Sequence, residues 1–123
     1  MKFKTLKDNI RIEEGTEGVV FNHYSFCEMI THIMVTYGKV TYDEACNKLK
    51  NSFLIEAPTS LDDVCYITHE LAYHWAMLLV HGDMYWTNGI PSDFNDFEDE
   101  YLIWETEVRR EHNLKIPYEY YDI

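Results

Sequence analysis

Apolar and polar positions change their period near residue 22. Before it, Ile10-Arg11-Ile12 alternates, Glu14-Gly15-Thr16-Glu17-Gly18 carries turn residues, and Val19-Val20-Phe21 is β-prone. Residues 1–22 are therefore expected as an extended segment or a short β-hairpin. The turn signal is long for a tight connection. A lone hairpin is marginal in water, so this one is expected to pack on other elements.

From Tyr24 onward the repeat is helical. Phe26, Met29, Ile30, Ile33, Met34 and Tyr37 recur every three or four residues, which predicts a helix over 24–37 ended by Gly38. Glu28, Thr31 and His32 fall on its other face. A second helix over 41–52 starts at Thr41-Tyr42-Asp43-Glu44, the spacing of a capping box, with Ala45, Cys46 and Leu49 as its buried stripe. A third is expected over 60–87, with Asp62 and Asp63 in its positive first turn. Its apolar residues cover more than half the circumference, which would make it the centre of the bundle. Asn88-Gly89-Ile90-Pro91 then stops the chain. The last helix, over 93–112, carries the stripe Phe94, Phe97, Tyr101, Trp104 and Val108, and residues 113–123 form an acidic, aromatic tail. The expectation is a mainly α fold. It is a compact bundle of about four helices with a short N-terminal β-hairpin or extended segment, in a single domain over 1–123.

Composition supports a folded core and narrows the partners. Of 123 residues, 46% are hydrophobic and 15% aromatic, too apolar for a disordered chain. Twenty-two acids face ten basic residues, a net charge of −12. Nucleic-acid binding is dominated by phosphate neutralisation, so that balance argues against DNA or RNA and against anionic membranes. Cys27, Cys46 and Cys65 lie in apolar helical patterns with no Cys-x-x-Cys spacing, which suits free thiols in a reducing compartment. Residues Met1–Asp8 lack the apolar run of a secretory signal, and the longest apolar run is only Trp75–Val80. A cytoplasmic location is expected.

Catalytic signatures are missing. There is no Gly-x-Ser-x-Gly elbow and no glycine-rich phosphate loop. Titratable groups cluster only near His69-Glu70 and His74, continuing to His81. On one continuous helix Glu70, His74 and His81 share an arc, so they form the candidate metal set. The spacing is neither Glu-x-x-His nor His-Glu-x-x-His, and a polar layer closed by Glu70, His74 and a tyrosine is the favoured reading over a metal site. No cofactor is expected.

The acidic C-terminal part is the other candidate. From Asp93 to Ile123 ten acids stand against three basic residues, a balance of −7. Aromatic anchors inside a charged rim are how many interfaces are built. Asp96, Glu98, Asp99, Glu100 and Glu107 are therefore the expected charged contacts, with Tyr118, Tyr120 and Tyr121 as anchors. The expected function is a small acidic inhibitor, immunity or antitoxin-type protein that neutralises a basic protein such as a nuclease toxin. A metal-binding bundle enzyme on Glu70, His74 and His81, and a homodimeric subunit that buries its extra aromatics, are the alternatives.

Overall fold

The computed structural model describes Phe3 and residues 5–123; positions 1, 2 and 4 of the expected N-terminal segment lie outside the described residues. The order of elements is β1 (Ile10–Glu14), β2 (Glu17–Phe21), α1 (His23–Thr36), α2 (Tyr42–Lys50), α3 (Leu61–Thr68), α4 (Ala72–His81), α5 (Glu98–Glu111) and β3 (Tyr118–Asp122). Short 3-10 turns at Phe53–Ile55, Tyr85–Asn88 and Asn95–Phe97 link them. The protein is mostly helical, as expected. Its β part, however, is a three-stranded antiparallel sheet rather than a hairpin.

The hairpin closes more tightly than its sequence suggests. Glu14 pairs with Glu17, leaving only Gly15 and Thr16 to turn the chain. Gly15 takes φ 61°, the left-handed conformation that two-residue hairpin turns require and glycine adopts without strain. The C-terminal tail docks as β3, with Phe21 opposite Tyr118, Val19 opposite Tyr120 and Gly18 opposite Tyr121. Gly18 has a packing reason to be glycine, since a Cβ there would stand 2.5 Å from the Tyr121 ring.

The centre of the molecule is α1, not the third predicted helix. Ten of its fourteen residues are buried, among them Glu28 and Thr31, which the periodicity places outside. Helices α2, α4 and α5 pack against it, Phe21 of β2 meets its Phe26, and β1 and β2 contact α3. Gly38 follows it with no left-handed φ; Lys39 has that conformation instead. A Cβ at Gly38 would stand 2.6 Å from the Met34 carbonyl oxygen and 2.8 Å from Val80 Cγ2 of α4, so the position has room only for glycine.

The expected helix over 60–87 is two helices. Thr68 Oγ1 back-bonds to the Val64 carbonyl at 2.7 Å, a contact that competes with the helical ladder. Leu71 then adopts extended backbone before α4 begins. The break leaves carbonyls in the last turn of α3, and the Trp75 indole N–H donates to one of them, Ile67 O, at 2.8 Å. The interruption also rotates α4. Tyr73 and Met77 are buried and Leu71 is exposed. Gly82, at φ 87°, ends α4 well short of residue 87. The capping box of α2 forms as expected, Glu44 N donating to Thr41 Oγ1 and Thr41 N to Glu44 Oε1. No helix among the described residues is long and apolar enough to cross a membrane.

Candidate functional site

An aromatic layer fixes which side of α5 faces out. Tyr101 stacks on Phe94 with centroids 4.1 Å apart, and Tyr37 packs against Phe97, Tyr101 and Trp104. Tyr101 donates to Glu105 at 3.0 Å, and burial raises its phenol pKa. Glu105 also pairs with Arg109 at 3.1 Å. With that stripe inward, Asp96, Glu98, Asp99, Glu100 and Glu107 are all exposed. None of the five side chains makes a hydrogen bond or ion pair with another described residue. Glu98, Asp99 and Glu100 occupy the first turn of α5, where the helix dipole favours acids.

The sequence reading missed the apolar part of this face. Leu102 is 44% exposed and Ile103 64%. At about 100° per residue, Asp99 and Thr106 project between them, and Glu98 and Glu107 flank the pair. Arg110 is the exposed cation on the same arc. The signal was present in the sequence, because both aliphatics lie off the aromatic stripe.

The three tail tyrosines do not join that surface as a group. In β3, Tyr118 and Tyr120 share a face, and Tyr121 points to the opposite one. Tyr120 meets Cys65 Sγ at 3.4 Å, and burial with the neighbouring thiol pushes its phenol up to about 12. Cys65 is thus exposed beside the sheet rather than on an apolar stripe. Tyr121 donates to Glu13 at 2.6 Å and accepts from Arg11 at 3.3 Å. No hydrogen bond or ring contact ties any of the three to the α5 acids among the described residues.

The break between α3 and α4 dissolves the metal arc. Glu70 leaves the helix and pairs with His69 at 3.4 Å. His74 Nδ1 lies 2.8 Å from the Tyr85 hydroxyl, and burial pushes that phenol up to about 12. His81 is exposed at the end of α4. Glu70 and His74 still border one shallow cleft with Trp86 and Asp93. Among the described residues, no three His, Cys, Asp or Glu side chains are gathered as a metal ion needs.

A cleft of about 300 Å³ opens between the α3–α4 break, α5 and the start of β3, floored by Phe26 and Met29. Its polar groups already have neighbours, Glu70 lying 3.4 Å from His69 and Glu105 pairing with Arg109. Another polar cluster centres on buried Glu28. Glu28, 4% exposed, accepts from Tyr42 and lies 3.4 Å from His32, which stacks on His112 at 4.2 Å. That cluster joins α1, α2 and the end of α5 without opening to a cavity among those described.

In comparison with known proteins, the chain matches no family model, no curated protein and no solved structure.

Proposed function

We propose that this chain is a small acidic protein-binding module that neutralises a basic protein, in the manner of an inhibitor, immunity protein or antitoxin acting on a nucleic-acid enzyme such as a nuclease toxin. The observation that carries this reading is the outward face of α5. Leu102 and Ile103 stand exposed beside Glu98, Asp99 and Glu107, whose carboxylates have no hydrogen-bond or ion-pair partner among the described residues. Covering an aliphatic side chain fully is worth about 1.5–3 kcal/mol. The unpaired acids would steer a cationic partner onto it and raise the association rate. A nuclease active site is cationic because it binds phosphates, so a carboxylate-rich face can occupy it.

The same aliphatics could be covered by a second copy of the chain. The net charge of −12 opposes that pairing, because like-charged surfaces repel. Tyr118 and Tyr120 remain candidate anchors on a separate face; Tyr121 is engaged by Arg11 and Glu13.

Charge neutralisation tests the proposal. Glu98→Gln, Asp99→Asn and Glu107→Gln together are expected to slow association with the basic partner and flatten its salt dependence. Leu102→Ser with Ile103→Ser is expected to speed dissociation. Unchanged binding in both variants would sink the reading.

A further inference from the structure

A third concave surface lies beside the 3-10 turn at Phe53–Ile55, apart from the α5 face. It is a cleft of about 250 Å³ lined by Phe53, Glu56, Ala57, Pro58, Asp63, Tyr66 and Ile67. Pockets for drug-sized ligands run from about 300 to 1,000 Å³, so this one is on the scale of a single side chain. Its walls are two large aromatics left open to solvent, Phe53 at 47% and Tyr66 at 59%. Their centroids are 5.8 Å apart with the rings inclined at 59°.

Both rings rest on Trp75, at 5.3 and 6.4 Å. Trp75 is itself buried and held by its hydrogen bond to Ile67 O. The walls therefore stand on a fixed base. Exposed aromatics on a rigid support present the negative faces of their π systems, which attract cations.

The rim supplies matching charge. Asp63 is held in place as Thr59 donates to its Oδ2 through both N–H and hydroxyl, at 2.9 and 3.0 Å. Asp63 remains exposed, and these bonds, with further ones from Ser60, keep its carboxyl below the usual range, hence ionised. The Glu56 backbone N–H donates to Phe53 O at 3.1 Å, and its carboxylate has no hydrogen bond of its own among the described residues. None of the lining residues is cationic.

Two aromatic walls and two carboxylates in a cleft of this size match one chemistry. We propose that this cleft receives the side chain of an arginine presented by a partner protein. A planar guanidinium stacks on aromatic faces and forks onto carboxylates in a way that an ammonium does not. The inference rests on the basic-partner reading for its occupant, and it adds a specific anchoring point distinct from the α5 face.

The test uses the full chain and a small probe, so that it does not depend on finding the partner. Acetyl-Gly-Arg-Gly-amide is titrated into labelled protein by NMR, with acetyl-Gly-Leu-Gly-amide as the control. One side chain is expected to bind with a dissociation constant on the order of 1 mM or weaker. The expected result is saturable shifts confined to residues 53–67, produced by the arginine peptide and not by the leucine peptide. Glu56→Gln and Tyr66→Leu, both at exposed positions, should each weaken binding by about two- to fivefold. The α5 variant Glu98→Gln/Asp99→Asn/Glu107→Gln should keep the shifts, which separates failure here from failure of the α5 proposal. No localised shift with the arginine peptide, equal shifts with leucine, or a shift map centred on α5 would overturn the assignment.

Discussion

The Tyr42 hydroxyl donates to both carboxylate oxygens of Glu28, at 2.9 and 3.0 Å, across the contact between α1 and α2. Glu28 is buried on the central helix, where a carboxylate is tolerated only if its oxygens are satisfied. The phenol pKa of Tyr42 is raised in consequence, by burial first and by this carboxylate second. Tyr42→Phe removes the donor and keeps the ring. It is expected to cost about 1.5–3 kcal/mol, the range for a hydrogen bond to a charged group. Urea denaturation measures it; a loss within error of zero would mean that other contacts of Glu28 suffice.

The α3–α4 break depends on Trp75. Its indole N–H satisfies Ile67 O, a carbonyl in the last turn of α3. Trp75→Phe should leave that carbonyl without its buried donor, an expected penalty of about 1–3 kcal/mol in addition to any repacking. Amide exchange over residues 68–72 should accelerate more than exchange in α1. Uniform acceleration across all helices would show that the bond does not govern the break.

His23 predicts a pH effect. It is fully buried at the start of α1, with Nε2 2.8 Å from Leu54 O and Nδ1 without a partner among the described residues. Nε2 must carry a proton to donate to that carbonyl, and burial disfavours a second proton on Nδ1. Burial lowers its pKa below the usual 6.5, and the Leu54 bond, Asp8 and Glu56 offset this only in part. As pH falls below 6.5 the unfolded chain takes up the proton before the folded one, so this contribution to stability is full above 6.5 and declines toward the folded pKa. The carboxyls of Glu44 and Asp63 are held low by their cap bonds, so their stabilising contributions disappear in a more acidic window. His23→Gln keeps an amide donor and should flatten the dependence near pH 6 in denaturant titrations. An unchanged slope there would remove His23 as its source.

Local signals in the sequence survived folding, and signals that needed tertiary knowledge did not. Thr41 and Glu44 form their capping box because every atom involved lies within four residues. The stripe from Phe94 to Val108 does face inward, with Phe94 and Tyr101 stacked. The α3–α4 break was hidden because apolar spacing continues through it, and its stabilising bond joins Ile67 to Trp75 only once the chain has turned. The burial of Glu28 was equally invisible, since its partner Tyr42 comes from another helix. The tail's fate as β3 depended on pairing with β2, roughly a hundred residues earlier. Of the candidate surface, the five acids were legible as charge, whereas dividing Tyr121 from Tyr118 and Tyr120 required the strand register.

The central claim is that the outward face of α5 holds a basic protein. Native mass spectrometry of the untagged chain, isolated gently from cells that make it naturally, tests this most directly when run beside the Glu98→Gln/Asp99→Asn/Leu102→Ser/Ile103→Ser variant. The account predicts that the wild-type chain retains one basic protein at one-to-one stoichiometry, sheds it as salt rises, and loses it in the variant while the variant stays folded. A bare monomer, a homodimer, or a partner retained equally by the variant would contradict it.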